Sequence, residues 1–373
     1  MLQFKPPKMT IIPKGLQPGE TIAFVSPSFR VNKFHPFVVE RAKVVLEAKG
    51  YPVKIFWTDE DPKTTTIAQH ILNRKQEILE AFADPEVRAI CCTVGGTTAD
   101  ELIRPFLYDE AAADIIRKNP KIFFGYSDIT ILHWILYHLS GLRTFYGPGV
   151  DPELGEAPAP MTFTLDNLLR AITHDDSTGT PPRPIGPVAR SKEYAPLAPN
   201  YALENGANTK PRTLAPTPAW RWIRGGASTG RIFGGCLTLV LRLHGVRQLE
   251  PDWSGRVLFL ETATADDETK GLPLYRIRQY IADLIAYGVM DQINGLIFGR
   301  FYGYDSQESQ DELAGVIHGL LCDGDIVKNN KAFPILMNVD IGHTSPLITI
   351  PMDALVGLDS AKDEFSILEA GIQ

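Results

Sequence analysis

The sequence is poor in cysteine and contains no long hydrophobic run. Only four of its 373 residues are cysteines, none in the CxxC spacing of a zinc site, so we expect buried, reduced thiols and no bound metal. No apolar stretch approaches the ~20 residues that span a bilayer. Prolines and lysines interrupt the N-terminus, MLQFKPPKMTIIPKG, where a secretion signal requires an unbroken apolar segment. We therefore expect a cytoplasmic protein that does not contact a membrane.

Basic clusters and nucleotide-binding motifs are also missing. The formal net charge is −7, and no run of lysines and arginines offsets it, which argues against nucleic acid as a partner. Neither GxGxxG nor GxxxxGK[ST] occurs, so we predict that the protein needs no nucleotide or other cofactor. The composition, 44% hydrophobic and 22% charged, is typical of a soluble globular protein, and the chain is long enough for two domains.

Strand and helix patterns alternate from residue 21 to residue 148. The segments TIAFVSPS, YPVKIFW, VRAICCTV and KIFFGY predict strands, and amphipathic segments such as FVVERAKVVLEAKG lie between them. This alternation predicts an α/β fold whose sheet is parallel and Rossmann-like. Parallel sheets of this kind bind ligands at the carboxyl ends of their strands. Functional residues are therefore expected in the segments that directly follow the strands.

A proline-rich region divides the chain. Twelve of the 29 prolines lie between Asp151 and Pro218, a density that cannot sustain a sheet interior or long helices. Strand and helix patterns return beyond it. We therefore predict an N-terminal domain at residues 1–150, a long linker with a lid loop at 151–224, and a C-terminal α/β domain at 225–373.

A serine follows the last predicted strand of the first domain, in the segment KIFFGYSDIT. Ser127 or Asp128 could cap the next helix, because both residue types bond the free N–H groups of a first turn. Alternatively, Ser127 is a nucleophile, since a hydroxyl on a sharp strand-to-helix turn stands beside N–H groups that can stabilise an oxyanion. Ile129 replaces the second glycine of the GxSxG pattern, which weighs against an α/β-hydrolase esterase. This segment alone leaves both interpretations of Ser127 open.

A nucleophilic serine needs a base and a third group that orients the base. Among the eight histidines, His343 in NVDIGHTSP lies in a Gly-preceded turn directly after an apolar strand. Glu261 ends the apolar strand of GRVLFLET, where a rigidly held carboxylate can orient an imidazole. In TVGGTTADEL, Gly95 and Gly96 let a substrate approach backbone N–H groups, although an ordinary turn would have the same sequence. These residues are the candidate base, orienting acid and oxyanion loop.

Five segments, in this order along the chain, resemble the motifs of one family. VGGTTADEL, FFGYSDIT, RIFGGCLTLV, LFLET and DIGHTSP are similar to motifs of the LD-carboxypeptidase family of serine peptidases. The long linker and its segment AWRWIRGG are most similar to the microcin-immunity, MccF-like, branch of that family. The similarity extends from about Lys14 to Asp359. Thr97 departs from the pattern, because many members have an aromatic residue after the Gly pair.

The resemblance implies a serine carboxypeptidase. Its catalytic triad would be Ser127, Glu261 and His343. Its oxyanion hole would combine the backbone N–H of Asp128 with the loop of Gly95 and Gly96. Because the serine lies in the first predicted domain and the other two triad members lie in the second, we expect the active site at the interface between the domains.

The resemblance also implies two classes of substrate. One is a small peptide or muropeptide, cleaved between an L-centre and a terminal D-residue; the other is a peptidyl nucleotide with an amide or phosphoramide-type bond. Trp220 and Trp222 could stack on the nucleobase of the second class, although tryptophans beside a domain boundary also serve as packing anchors. We further expect a homodimer. The rival interpretation is a non-catalytic protein that binds a peptide or small amide in the same cleft.

Overall fold

The structure is a computed structural model that describes residues 9–61, 63–197, 210–267, 269–328 and 332–373. Part of the predicted lid, residues 198–209, therefore lies outside the described residues. The α-helices are α1 Val31–Phe34, α2 Pro36–Ala48, α3 Ile67–Ala83, α4 Ile103–Leu107, α5 Glu110–Lys118, α6 Thr130–Ser140, α7 Thr162–Ile172, α8 Leu237–His244, α9 Leu274–Ala286 and α10 Gln307–Leu321.

The strands of the first half are β1 Thr21–Val25, β2 Val53–Phe56, β3 Val87–Cys92, β4 Ile122–Gly125, β5 Phe145–Tyr146, β6 Gly186–Pro187, β7 Glu193–Tyr194 and β8 Ala215–Pro216. Those of the second half are β9 Arg221–Arg224, β10 Ala227–Cys236, β11 Val257–Glu261, β12 Gly295–Gly299, β13 Ile335–Val339, β14 Ile350–Pro351, β15 Leu355–Asp359 and β16 Glu364–Ile367.

Local sequence signals set several helix ends. The Thr66 hydroxyl accepts the Gln69 N–H at 3.2 Å where α3 begins, and Ser306 bonds the Ser309 N–H in the same way at the start of α10. These bonds satisfy N–H groups that have no partner within the helix. Helix α6 ends at Gly141, whose φ of +76° suits a glycine at a left-handed C-terminal position.

The N-terminal sheet confirms the predicted parallel α/β architecture. Its strand order is β14-β5-β4-β3-β1-β2, and all pairings among β1 to β5 are parallel. The carboxyl ends of β1, β3 and β4 therefore lie side by side at one edge of the sheet. The short strand β14 comes from far along the chain and pairs antiparallel with β5, so the C-terminal part of the chain completes the first sheet.

The C-terminal sheet has the strand order β6-β16-β15-β10-β11-β12-β13-β9. Its centre, from β10 to β13, is parallel, while β15, β16, β6 and β9 pair antiparallel at the two sides. The linker thus contributes β6 to one edge of this sheet and β9 to the other. The domain limits at residues 150 and 224 stay predictions.

Helix α6 connects the two sheets through a shared core. The fully buried Trp134 donates its indole N–H to the carbonyl oxygen of Gly234 at 3.1 Å, and its ring centre lies 5.9 Å from that of Trp253. The Thr130 hydroxyl accepts the N–H of Cys236 at 3.1 Å. One hydrophobic cluster continues from the N-terminal sheet into the C-terminal sheet. The helix that follows the candidate nucleophile is therefore packed directly against the second domain.

All four cysteines are free thiols. Cys91 and Cys92 point into different hydrophobic clusters on the two faces of the N-terminal sheet, as adjacent strand residues must. The expectation that all four are buried is wrong for Cys322, which is half-buried at the end of α10. Within the described part of the chain, no helix combines the length and apolar character that crossing a membrane requires.

Candidate active site

Ser127 occupies a sharp turn after β4. Its φ is +63°, a left-handed conformation that residues other than glycine seldom adopt and that often occurs at functional sites. Neither predicted helix cap is observed among the described residues, because Ile129 is the N-cap of α6 and its first turn receives no side-chain bond. The Asp128 carboxylate instead accepts the N–H of Ala99, at 2.8 Å, where a short 3-10 helix begins. The Ser127 hydroxyl is therefore available for another interaction.

The Ser127 hydroxyl begins a chain of two hydrogen bonds that crosses the domain interface. Its Oγ lies 2.8 Å from Nε2 of His343, and Nδ1 of His343 lies 2.7 Å from Oε2 of Glu261. Glu261 is the last residue of β11, and His343 follows β13, so both come from carboxyl ends of the C-terminal sheet. The structure brings together the three residues that sequence analysis selected, in the order serine, histidine, glutamate.

The charge of Glu261 and the burial of the site together determine the pKa of His343. Glu261 is fully buried, and the side chain of His343 is 15% exposed. Burial would lower the pKa of His343, but the charge of Glu261 and the hydrogen bond to it, with a smaller contribution from Glu153, raise this pKa above its ordinary value. The imidazole is therefore a stronger base than a free histidine, as removing a proton from a serine hydroxyl requires.

The loop that carries His343 is held against the sheet by buried polar contacts. Gly342, at φ +105°, lets the loop approach Glu261, because a Cβ at this position would lie 2.5 Å from Oε2 of that residue. Arg300 forms a buried ion pair with Asp340 and donates to Thr344 Oγ1 at 2.9 Å. The turn bearing the histidine is thus held on both sides of the histidine.

The Gly-Gly loop lies directly beside the candidate nucleophile. A Cβ at Gly95 would lie 2.8 Å from Cβ of Ser127 and 3.1 Å from the backbone nitrogen of Asp128. Gly96 has a φ of +137°, and a Cβ there would lie 2.6 Å from Oγ of Ser28. Only glycine permits this close approach. The structure therefore brings the loop and the Asp128 N–H together next to Ser127.

The side chain of Asp128 fastens this arrangement from behind. Its Oδ2 accepts the Ser28 hydroxyl at 2.6 Å and the Ala99 N–H at 2.8 Å, so it joins the serine turn to the segments after β1 and β3. Burial raises the pKa of this carboxyl, although the bonds from Ser28 and Ala99 act in the opposite direction. The sequence suggested a backbone role for Asp128 in the oxyanion hole or a side-chain cap on the following helix, and it missed this connection to the segments after β1 and β3.

Sequence reasoning also missed two tyrosines that flank the triad. Tyr146 donates its hydroxyl to Oε1 of Glu261 at 2.6 Å. Tyr126 donates to Oε1 of Glu153 at 2.8 Å, and its ring contacts the ring of His343 edge-on, at 5.1 Å between centres. Tyr126 adjoins the serine and could have been considered on that ground. Tyr146 carries no such signal, because its contact depends on how the two domains pack.

The two candidate stacking tryptophans contact other parts of the protein. Trp222 lies on β9 and donates its indole N–H to Oδ1 of Asp363 at 2.8 Å. The Arg190 guanidinium lies 3.7 Å from the centre of the Trp220 ring, and Phe365 is a further ring neighbour. In the described residues, no hydrogen bond or ring contact joins either tryptophan to the triad. Their proposed contact with a nucleobase stays a prediction.

No metal site accompanies the triad in the part of the chain that the structure describes. Among the described residues, no group of three or more His, Cys, Asp or Glu side chains is arranged to hold a metal ion. The side chains and backbone N–H groups around Ser127 supply a candidate nucleophile, a candidate base, an orienting carboxylate and candidate donors to an oxyanion.

Two family models and several relatives match this chain over most of its length. The LD-carboxypeptidase N-terminal domain matches residues 22–147, and the LD-carboxypeptidase C-terminal domain matches residues 229–358. The microcin C7 self-immunity protein MccF of Escherichia coli is 27% identical over 360 residues, which are 94% of each chain. A Bacillus subtilis (strain 168) protein named "Probable murein peptide carboxypeptidase" is 26% identical over 361 residues, covering 96% of this chain and 95% of the relative.

The fold comparison extends over the same length. A solved structure of an MccF variant in complex with adenosine monophosphate has a TM-score of 0.79 at 24% identity, and the match covers 97% of this chain and 100% of that chain. The family models together account for both domains, and the relatives match from end to end. The chain therefore belongs to the LD-carboxypeptidase family and has the two-domain fold of the MccF structures.

Proposed function

We propose that this protein is a serine carboxypeptidase that hydrolyses an amide bond near a peptide C-terminus through Ser127, His343 and Glu261. One observation carries the proposal: the continuous hydrogen-bond chain from the Ser127 hydroxyl through both ring nitrogens of His343 to the buried Glu261. A nucleophile, a base and an orienting acid within hydrogen-bond distance of one another are the signature of nucleophilic catalysis.

Each residue has one task in the proposed reaction. Ser127 attacks the substrate carbonyl while His343 takes the hydroxyl proton at Nε2. Glu261 holds Nδ1 and stabilises the imidazolium that forms. The negative charge on the carbonyl oxygen is stabilised by N–H groups of Asp128 and of the Gly95 and Gly96 loop.

The proton then moves from His343 to the leaving amine, and the carbon–nitrogen bond breaks to leave an acyl ester on Ser127. Water attacks this ester with His343 again as the base, which releases the acid and restores the serine. The two steps use the same three side chains, and water is the second nucleophile.

Relatives support the two substrate classes that we propose. The Bacillus subtilis relative is named for murein peptides, and an MccF variant has been solved with adenosine monophosphate. We propose a cell-wall peptide or muropeptide as one class and a peptidyl nucleotide as the other. A screen of L,D-peptides against acyl-sulfamoyl adenylates discriminates between them.

We also propose a cytoplasmic homodimer. Adjacent free thiols at Cys91 and Cys92, in the centre of the first sheet, fit a reducing compartment. Light scattering of the purified chain at several concentrations tests the dimer, and a mass of one chain at all concentrations would exclude it.

A non-catalytic protein that binds a peptide or small amide in the same cleft is the alternative function. A serine-directed phosphonate distinguishes the enzyme from a binding protein. It forms a covalent bond only with a serine hydroxyl that the surrounding active site activates. We expect stoichiometric labelling, mapped by mass spectrometry to the peptide that contains Ser127. An unlabelled protein that still binds L,D-peptides would instead support the binding function.

A further inference from the structure

Tyr146 forms a bridge between the two halves of the active site. It belongs to β5 of the N-terminal sheet, yet its hydroxyl donates to Oε1 of Glu261 in the C-terminal domain at 2.6 Å. The same oxygen accepts the backbone N–H of Ser127 at 3.2 Å. One buried phenol therefore contacts both the turn that carries the nucleophile and the acid that orients the base.

The bond to Glu261 fills the oxygen that His343 leaves unused. The imidazole occupies Oε2, and Tyr146 occupies Oε1, so both oxygens of the carboxylate have a partner. Glu261 is fully buried, and leaving an oxygen of a buried carboxylate without a hydrogen-bond donor costs free energy. The phenol thus stabilises the carboxylate and fixes its rotation.

The phenol remains a donor over the working pH range. Burial, with a contribution from the charge of Glu261, raises the pKa of Tyr146 well above its ordinary value. Its ring is held by Phe259 and His133, whose ring centres lie 5.0 Å and 5.6 Å away. Neither the proton nor the position of the hydroxyl is free to change, which suits a group that orients others.

The bond from Ser127 acts on the nucleophile turn. Ser127 is strained at its φ of +63°, and its N–H donates to the Tyr146 hydroxyl at 3.2 Å. The Ser127 N–H is therefore occupied and does not serve as an oxyanion donor. This observation leaves the Asp128 N–H and the glycine loop as the donors of the oxyanion hole.

We propose that Tyr146 is a positioning residue of the catalytic site, which stabilises the buried carboxylate of Glu261, fixes its rotation and holds the Ser127 turn in its strained conformation. The inference rests on the proposed serine mechanism. It adds to the triad a fourth side chain, which comes from the same domain as Ser127 and contacts Glu261 in the other domain.

The test is Tyr146→Phe, which keeps the ring and removes the hydroxyl. Without the phenol, Glu261 presents a less stabilised charge to His343, so the imidazolium is favoured and the histidine pKa rises. Because the base must be neutral, the acid limb of the kcat profile should move to higher pH. We expect kcat at its optimum to fall about 10- to 100-fold, the size expected for losing bonds to charged groups, with KM nearly unchanged.

Tyr137→Phe is the matched control. Its hydroxyl accepts from Arg256 at 2.8 Å, and among the described residues no hydrogen bond or ring contact joins it to the triad. It should lose stability without moving the acid limb. If Tyr146 had only a structural role, Tyr146→Phe and Tyr137→Phe would have the same pH profile of kcat. An acid limb that does not move in Tyr146→Phe, or a kcat within twofold of wild type, would overturn the inference.

A second readout needs no turnover. The ring-proton NMR signal of His343, assigned with His343→Gln, reports its titration in the free protein. The inference predicts a higher pKa in Tyr146→Phe than in wild type, and an equal pKa would contradict it. If wild type neither labels with a phosphonate nor hydrolyses any substrate, the proposed function fails, while the titration still decides whether Tyr146 controls His343.

Discussion

The two halves of the active site are held in place by different means. On the N-terminal side, Ser127 and the oxyanion loop depend on backbone conformation: a positive φ at the serine and a glycine, Gly95, in contact with it. On the C-terminal side, Glu261 and His343 depend on charge: a buried carboxylate against an imidazole, on a loop fastened by the ion pair of Arg300. The position of Ser127 thus depends mainly on backbone conformation, and that of His343 depends mainly on charge.

This difference has a physical reason. A nucleophile and an oxyanion site must present atoms at fixed points, and here backbone geometry, fastened by the Asp128 side chain, sets those points. A base must hold and release a proton, and its pKa can be adjusted only by neighbouring charges and burial. Substitutions on the two sides should therefore fail in different ways.

Outside the triad, the largest effect is expected from removing charge on the C-terminal side. Asp340→Asn leaves the buried guanidinium of Arg300 without its carboxylate, which should lower the free energy of unfolding by about 3–5 kcal/mol. Chemical denaturation measures the change. Asp311→Asn breaks an exposed pair with Arg221 and should change stability little. Equal effects of the two substitutions would contradict the assigned role of the buried pair.

A steric change on the N-terminal side should reduce activity instead of stability. In Gly95→Ala the new methyl group meets Ser127 and the Asp128 nitrogen, so kcat should fall about 10²- to 10³-fold. Gly315→Ala is the control, because its methyl group would point into open space on α10. If Gly95→Ala lost stability but kept its kcat, the loop would not be part of the oxyanion site.

Each side also contains a histidine, and the pKa values of the two histidines are shifted in opposite directions. Burial, only partly offset by the bond to Gly125, lowers the pKa of His133 to about 4, whereas Glu261 raises that of His343. As pH falls from 6.5 to 4, His133 becomes protonated in the unfolded chain but stays largely neutral in the folded protein. This difference lowers the free energy of unfolding by roughly 3 kcal/mol. His343 acts in the opposite sense, because its stabilising contribution is lost as pH rises through its raised pKa.

Thermal melts across this range separate the two histidines. His133→Gln should lose less stability than wild type between pH 6.5 and pH 4, since it lacks the group that must take up a proton. His343→Gln should instead become relatively more stable as pH rises above 6.5. Parallel stability curves for wild type and both variants would show that neither histidine behaves as its surroundings require.

The smallest effect concerns the linker, which belongs to neither side. If Trp220 or Trp222 stacks on a nucleobase, replacing it with alanine removes roughly 1–3 kcal/mol of binding. This would lower kcat/KM for acyl-sulfamoyl adenylates by about one to two orders of magnitude and affect L,D-peptides much less. Equal losses on both substrates would mean that the tryptophans, through Asp363 and Arg190, only stabilise the C-terminal domain.

The sequence predicted what depends on local pattern. Alternating strands and helices indicated the parallel sheet, and the ends of strands located Ser127 and Glu261. His343 was recognisable from a glycine-preceded turn. These residues follow strands whose hydrophobic pattern is strong, so their positions required no knowledge of the packing.

Contacts between distant segments were not predictable in this way. Tyr146 meets Glu261 only because the two domains pack around α6, and β14 completes a sheet more than 200 residues away in the chain. The Arg300 pair depends on a loop conformation that no local pattern encodes. Such contacts have no periodicity, and a single sequence offers no other signal for them.

The central claim is that Ser127 and His343 act as one unit across the domain interface. The direct measurement is kcat for Ser127→Ala, His343→Ala and the double variant on one substrate that wild type cleaves, with melting curves to show that each variant is folded. The effects of substituting members of a triad are not additive. We therefore expect kcat to fall about 10⁴- to 10⁶-fold in each single variant, and to fall no further in the double variant. Losses that multiply in the double variant, or a Ser127→Ala variant with more than about a tenth of wild-type activity, would contradict the claim.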